Sequence, residues 1–328
     1  MSSTREKLIT LLAKHSHTFV SGQWLSEQLN LSRTAVWKQI KQLKLDGYEF
    51  EATPNKGYRL VSTPDKISQN TIYWGLQTKW LGKPLQYYDE LPSTQIHANQ
   101  EAQAGASQGL VVVAERQTAG KGRLNRTWFS NNSGGLWFSF ILRPTLLPTQ
   151  APQLTLLTAT VLAEVIANKT NLQPSIKWPN DLLIGDKKVA GILTEMQAEQ
   201  DGIHYLVIGI GLNINQGPEA FDDRVKNRAT SLSIEAQKRF DKRDLLQAIL
   251  TRFEYHYEHY LEYGFEQVKK NWESYGYRIN QSITYVTRNQ THNGIIKGIA
   301  EDGALLVETK NKSVERLYSA EIAWFEEV

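Results

Sequence analysis

The chain has 328 residues, 41% of them hydrophobic, and a formal net charge of +3, which is long and apolar enough for two or three cores. It contains no cysteine; this excludes disulfides, zinc–thiolate centres and thiol nucleophiles, and points to a reducing, cytoplasmic setting. Residues 1–14 lack the apolar block of a signal peptide, and the most apolar later stretches are broken by Thr, Glu, Gly or Asn, so no membrane span is expected.

The charge is unevenly distributed. Residues 1–63 carry nine Lys or Arg against five acids, a balance of +4, and the remainder sums to −1. An excess at one end suggests a local polyanionic partner. Helical patterns follow one another at 5–13, 22–29 and 33–45, with only Asn30-Leu31-Ser32 between the last two, which is helix-turn-helix spacing. Ser32 is suited to cap the third helix. Val36, Ile40 and Leu43 fall on one face of it, and Thr34, Trp37, Lys38 and Lys41 lie roughly 100° or more away. After Asp46-Gly47, residues 48–60 alternate and turn at Pro54-Asn55-Lys56-Gly57, which predicts a two-stranded wing with a basic tip. The segment reads as a winged helix whose DNA face is Ser32, Arg33, Thr34, Trp37, Lys38 and Lys41. The competing reading is a solvated face of a protein-interaction domain. Ser62-Thr63-Pro64-Asp65 predicts a linker.

From residue 85 to 215 strand-like runs (109–114, 136–142, 189–195, 205–210) alternate with helical ones (95–104, 153–170), so an α+β or mixed sheet is expected. Three motifs stand out. The loop 117–128 contains Gly120-Lys121-Gly122-Arg123 and Arg126-Thr127-Trp128; glycines admit backbone N–H groups to an anion, and Lys121, Arg123 and Arg126 can neutralise phosphate. It has neither the Walker nor the dinucleotide order. The second is Lys177-Trp178-Pro179-Asn180-Asp181, followed by a tight turn that delivers Lys188 to an apolar strand with Gly191 bare beside it. The third is Ile208-Gly209-Ile210-Gly211-Leu212-Asn213-Ile214-Asn215, whose glycines alternate in a buried strand and expose backbone either to a flat ligand or to a crossing strand. Beyond these, residues 241–263 predict a helix whose Phe253, Tyr257 and Tyr260 pack inward. Short strands at 281–286, 294–300, 304–308 and 314–318, with Asn293-Gly294 and Asp302-Gly303 as turns, predict a small SH3-like barrel.

Together with Ser93-Thr94-Gln95, these motifs resemble, in order and spacing, the biotin–protein ligase family, and with the winged-helix start they look like its bifunctional ligase–repressor members. The resemblance covers nearly the whole chain. It implies an N-terminal winged helix-turn-helix DNA-binding domain at 1–63, a mixed α/β catalytic domain related to class II synthetases at 66–272, and an SH3-like domain at 273–328. It implies ATP, Mg²⁺ and biotin as reactants, with biotinyl-5′-AMP also a corepressor. A biotin carboxyl carrier domain, operator DNA and an adenylate-bound homodimer joined by edge strands around 191–196 follow as partners. Ser93, Thr94 and Gln117 then address biotin's ureido ring with Gln95 beside them at the biotin site, and Lys121, Gly122 and Arg123 close over biotin and the adenylate phosphate. Lys188 contacts carboxylate and α-phosphate. Arg126, Trp128, Lys177, Asn180, Asp181 and Asn213 lie on the nucleotide side, with Lys188, Arg123, Lys121 and Asp181 carrying the chemistry. No residues are assigned as metal ligands. In the family the loop's first basic residue is commonly arginine, and Lys121 lacks that bidentate fork. Three rival readings stay open: a sensor that binds an effector without catalysis, a ligase that no longer binds an operator, and a lipoate ligase.

Overall fold

The computed structural model describes residues 4–15, 18–45, 47–54, 56–62, 69–73, 75–287, 290–318 and 320–323. The chain separates into two compact units, Met1–Gln77 with Asp241–Gln247, and Thr78–Phe240 with Ala248–Val328. Thr63, Pro64 and Asp65 of the expected linker, Asp46 before the wing and Asn55 at its tip lie outside the described residues.

In the first unit, α1 (Thr4–Lys14), α2 (Gly22–Leu29) and α3 (Arg33–Leu45) precede the hairpin β1 (Glu49–Thr53) and β2 (Gly57–Ser62), and α4 (Gln69–Tyr73) follows. The helix-turn-helix is built by local chemistry. Ser21 Oγ accepts from Trp24 N–H at 3.0 Å and Ser32 Oγ from Ala35 N–H at 3.1 Å, satisfying first-turn donors. Asn30 enters the left-handed region at φ 53° and ends α2. Leu8, Leu12, Leu25, Val36, Ile40 and Leu43 form the core, as the apolar spacing of α3 predicts.

The second unit is organised on a seven-stranded sheet of order β3-β4-β5-β9-β8-β7-β6. Its strands are β3 (Leu85–Leu91), β4 (Val111–Gln117), β5 (Gly135–Leu142), β6 (Pro174–Lys177), β7 (Asp181–Ile184), β8 (Lys187–Glu199) and β9 (Gly202–Asn213). Only β3 and β4 run parallel; the other pairs are antiparallel. The helices are α5 (Thr94–Gln103), α6 (Ala151–Thr170), α7 (Leu232–Ala236), α9 (Glu266–Tyr275) and, from Ala248 onward, α8 (Lys242–Tyr263). Phe253, Tyr257 and Tyr260 of α8 are buried, with Phe253 packed on Phe140 of β5. A five-stranded antiparallel sheet of order β13-β12-β11-β10-β14 completes the unit: β10 (Ser282–Thr287), β11 (Gln290–Ile299), β12 (Leu305–Thr309), β13 (Val314–Leu317) and β14 (Glu321–Ala323). No helix among the described residues is long and apolar enough to cross a membrane.

Three local expectations are corrected. Asn293-Gly294 is not a turn but lies inside β11, opposite Thr284 and Ile283. A Cβ on Gly294 would stand 2.4 Å from Val307 Cγ1, so this glycine permits close strand packing instead of reversing the chain. Asp302-Gly303 does turn, with Gly303 at φ 85°. Secondly, β4 continues past the apolar run to Gln117, because β3 pairs with it as far as Leu91↔Gln117; Gln117 therefore stands on the sheet, not in the loop. Thirdly, Gly191 is not on an edge, since it pairs with Asp181 on one side and Gly211 on the other. The strand becomes an edge only beyond Ile192, whose N–H still donates to Asn180 O.

Candidate functional site

A cleft of about 450 Å³, open mouth included, lies on the sheet and is lined by the N-terminus of α5, the loop after β4, and the glycine-bearing stretches of β8 and β9. Pockets of this size suit small ligands. Gly209 and Gly211 are needed there. A Cβ on Gly209 would meet Gln95 Oε1 at 2.3 Å, and one on Gly211 the Trp128 indole at 2.4 Å. The alternating glycines make room for two cleft-wall side chains, so the strand's bareness serves protein packing.

The closed end is polar and buried. Gln117 Oε1 accepts from Thr94 N–H at 2.8 Å and lies 3.1 Å from Thr94 Oγ1. Its Nε2 donates to Ser130 Oγ at 2.9 Å. Gln95 Nε2 donates to Glu195 Oε2 at 2.9 Å. Ser93, the residue before α5, is buried, yet its hydroxyl caps nothing and has no hydrogen-bond partner among the described residues. A buried hydroxyl without a partner costs about 1–3 kcal/mol, and here it lines the cleft. Ser130, Ser139 and Glu195, which join this network, escaped the sequence reading: isolated serines and a strand glutamate carry no motif, and only the fold brings them beside α5.

The mouth is cationic. The loop after β4 is pinned by Gly122 N–H to Arg126 O at 2.8 Å and Trp128 N–H to Gly120 O at 2.9 Å. Lys121 and Arg123 line the cleft, and Arg123 donates to Asn180 Oδ1 at 2.9 Å. Burial lowers the Arg123 guanidinium from its ordinary value, with the negative charge of Asp181 opposing that shift. Asn180 donates from Nδ2 to Ile192 O at 2.9 Å, which fixes it against β8. Lys188 Nζ forms an ion pair with Asp181 Oδ1 at 2.7 Å and stands 5.2 Å from the Trp128 ring centroid. The pair is close but not aligned as a hydrogen bond, and Asp181 Oδ1 is left without a donor. The backbone of Lys188 is stitched to the loop before α7, donating to Arg228 O at 2.7 Å and accepting from Thr230 N–H at 2.9 Å.

The remaining nucleotide-side candidates divide. Trp128 and Asn180 line the cleft. Lys177 and Arg126 act on it as nearby charges: burial lowers the Lys177 ammonium, Asp181 opposes this, and Lys188, Arg228 and Arg126 add to it. Asn213 is not brought to the cleft wall. Its Nδ2 donates to Thr230 O at 3.0 Å and its Oδ1 accepts from Gln216 at 3.1 Å, so its amide holds the loop before α7 in place. In the first unit, Ser32, Arg33, Thr34, Trp37, Lys38 and Lys41 are all exposed along α3. Trp37 is 50% exposed, with Lys41 Nζ 5.5 Å from its ring centroid, a large apolar surface left to solvent on a basic helix face.

The biotin/lipoate A/B protein ligase family model matches residues 87–213, an HTH domain model 4–59, and a biotin protein ligase C-terminal domain model 279–323. The chain is 46% identical over 321 residues to the bifunctional ligase/repressor BirA of Bacillus subtilis, covering 98% of each. It is 30% identical over 302 residues to the bifunctional ligase/repressor BirA of Escherichia coli, covering 92% of this chain and 91% of that one. The biotin protein ligase of Aquifex aeolicus, solved in complex with biotin and ATP, matches with a TM-score of 0.65 at 31% identity over 74% of this chain and 98% of its own. On the strength of end-to-end similarity to the bifunctional members, this chain belongs to the biotin–protein ligase family.

Proposed function

We infer that the protein is an ATP-dependent biotin–protein ligase and a DNA-binding transcriptional repressor in one chain. The ligase forms biotinyl-5′-AMP and transfers the biotinyl group to a lysine of a biotin carboxyl carrier domain. One observation carries the ligase half: a cleft whose closed end offers buried, partly unsatisfied hydrogen-bonding groups while its mouth gathers Lys121, Arg123 and Lys188. A ligand with a polar head and a carboxylate tail matches that polarity. Ser93, Thr94, Gln95 and Gln117 are the groups for biotin's ureido ring. Trp128, Lys177, Asn180 and Arg126 are assigned to the nucleotide side, and Asn213 supports the loop beside it.

In the first step the carboxylate of biotin attacks the α-phosphorus of ATP and pyrophosphate leaves. Two anions must approach, and Lys121, Arg123 and Lys188 are suited to neutralise them and the charge that grows in the transition state. Asp181 holds the Lys188 ammonium toward the cleft. Mg²⁺, bound through the triphosphate, would supply further neutralisation of the phosphate charge, an ion of that kind keeping most of its ligands from water and phosphate. In the second step a neutral acceptor lysine attacks the acyl carbon and AMP leaves. The mixed anhydride is water-sensitive, so the loop 121–127 serves retention as well as binding.

The repressor half rests on the exposed basic face of α3 and the wing. Two half-sites require two copies, and the edge of β8 beyond Ile192, unpaired among the described strands and with Met196 46% exposed, is the face assigned to join them when the adenylate is bound. The assigned domain limits are 1–63, 66–272 and 273–328, and the setting is the cytoplasm.

The test is exchange of labelled pyrophosphate into ATP, with biotin and lipoate run in parallel. Biotin-dependent exchange supports the ligase; exchange with lipoate alone moves the chain to the neighbouring branch, and no exchange leaves a sensor without catalysis. Sedimentation with and without biotin plus ATP reads the dimer, and a mass that ignores the ligands would remove it.

A further inference from the structure

Ser139, on β5, is fully buried and belongs to none of the motifs that mark the site. Its Oγ lies 2.9 Å from Thr94 Oγ1 and 3.2 Å from Gln95 Oε1. Both flanking amides have fixed orientations. Gln95 Nε2 donates to Glu195 Oε2 and to Val207 O, two groups that only accept, so Gln95 Oε1 must face Ser139. Gln117 Nε2 donates to Ser130 Oγ, whose own hydrogen goes to Trp128 O, so Gln117 Oε1 must face Thr94. Between Gln117 Oε1 and Gln95 Oε1 there are therefore three oxygen–oxygen contacts, Gln117–Thr94, Thr94–Ser139 and Ser139–Gln95, and two hydroxyl hydrogens to serve them.

One contact must go without a hydrogen. Ser139 is the donor that reaches the buried Gln95 carbonyl, and leaving such an acceptor unsatisfied is costly. With its hydrogen on Gln95, Ser139 can only accept from Thr94. Thr94 Oγ1 can donate to Gln117 Oε1 at 3.1 Å or to Ser139 Oγ at 2.9 Å; with its hydrogen on the shorter contact, Thr94 Oγ1 and Gln117 Oε1 both present lone pairs where they line the cleft. Gln117 Oε1 already receives Thr94 N–H, but the facing lone pairs lack a hydrogen between them, which a ligand N–H supplies. Ser93 Oγ, without a partner, offers the complementary donor for a ligand carbonyl.

We propose that Ser139 is a positioning residue which, by accepting the Thr94 hydrogen and passing its own to Gln95, makes the closed end of the cleft select a ligand that carries N–H donors beside a carbonyl. This rests on the biotin reading above, in which the ureido ring is that group, and adds how the site rejects a tail-matched ligand without N–H groups, such as a dithiolane acid. A site built to bond a ligand N–H leaves its own groups unpaired when that N–H is missing.

The experiment is steady-state pyrophosphate exchange by the full chain, with biotin and with biotin methylated on one ureido nitrogen, for wild type, Ser139→Ala and Ser139→Cys. Wild type should prefer biotin strongly. In Ser139→Ala the Thr94 hydroxyl returns to Gln117, so KM for biotin should rise about tenfold or more, KM for ATP should stay within about twofold, and the preference over the methylated ligand should shrink by about tenfold, each tenfold being about 1.4 kcal/mol. Ser139→Cys, a similar shape with a weak donor, should fall between and guards against a folding defect in the alanine variant. Parallel rises in both KM values, or an unchanged preference for the N–H ligand, would overturn the proposal. Absence of biotin-dependent exchange in wild type would instead remove the ligase reading and this inference with it.

Discussion

Lys188 Nζ stands 2.7 Å from Asp181 Oδ1, across the β7–β8 hairpin from it. Gly185 takes the left-handed φ of 58° that the two-residue turn needs, and the register then sets Lys188 beside Leu183 and Asp181 beside Gly191. Gly191 leaves space for the lysine stem, since a Cβ there would touch Lys188 Cε at 3.2 Å. The lysine is thus delivered by turn chemistry and a bare neighbour, with its backbone held from the other side by Arg228 and Thr230.

Lys188→Ala should abolish function and spare the fold. The side chain is 33% exposed, so its loss leaves no sealed cavity, and its ion pair is one that solvent partly screens. Biotin-dependent exchange should drop by roughly 100-fold or more, the scale of removing one preorganised group from a developing charge. Thermal unfolding should shift by only about 2 °C. A variant that unfolds early, or that exchanges normally, would contradict the assignment.

The two strand glycines should separate the two substrates. Gly211→Ala places a methyl 2.4 Å from the Trp128 indole, whereas Gly209→Ala places one 2.3 Å from Gln95 Oε1. Moving Trp128 disturbs the wall assigned to the nucleotide, and moving Gln95 disturbs the polar end. KM for ATP should therefore rise about tenfold in the first, and KM for biotin by a similar factor in the second, a positional error being costly at a reacting site. Measuring both constants in each variant checks this; the same constant rising in both would refute the division of the cleft.

How much of this was legible follows from the range of the forces involved. The winged helix was readable almost residue by residue, because caps, a left-handed Asn30 and the 3.6-residue spacing of Val36, Ile40 and Leu43 act within a few positions. Lys188 and its turn were readable for the same reason. Gln117 was misplaced into a loop because Glu115 and Arg116 end the apolar run, while the partner strand that prolongs β4 lies far away in sequence. Ser139, Ser130 and Glu195 were invisible, since their roles exist only once α5 is laid over the sheet. Asn293-Gly294 carried the local signature of a turn, and tertiary packing against Val307 overrode it.

DNA binding should depend on α3 and leave the ligase intact. Lys38 and Lys41 lie exposed on the face opposite the buried Val36, Ile40 and Leu43. Replacing either with Ala should weaken binding of any duplex and reduce the salt dependence by about one released counterion. Trp37→Ala removes an exposed apolar contact and should weaken operator binding with little change in that slope. Fluorescence anisotropy across a salt series reads both effects. Exchange activity should stay unchanged, and a loss of it would tie α3 to catalysis instead.

Glu254, on α8, should anchor the entry to the second unit. Its buried carboxylate accepts three consecutive backbone N–H groups, from Lys79 at 2.6 Å, Trp80 at 2.9 Å and Leu81 at 2.8 Å. Glu254→Ala strands these donors, none of which lies in a helix or strand, and should lower stability by about 3 kcal/mol in urea unfolding. A change below about 1 kcal/mol would mean that water replaces the carboxylate at no cost.

Alkaline pH should expose the burial of Tyr260. Its hydroxyl donates to Gln153 Oε1 at 2.5 Å, and burial pushes its pKa up to about 12 from the ordinary 10.0. Below pH 10 both folded and unfolded chains keep the proton, so the contribution to stability is fully present. Between pH 10 and about 12 the unfolded chain releases it while the folded chain does not, and stability falls by about 1.4 kcal/mol per pH unit from this group. Tyr260→Phe removes that slope along with the hydrogen bond. Urea unfolding at pH 9.5 and 11.5 should show wild type losing roughly 2 kcal/mol more than Tyr260→Phe across the interval. Equal losses would mean that the hydroxyl ionises in the folded chain as freely as in the unfolded one, and that the contact with Gln153 does not keep water from this end of α8.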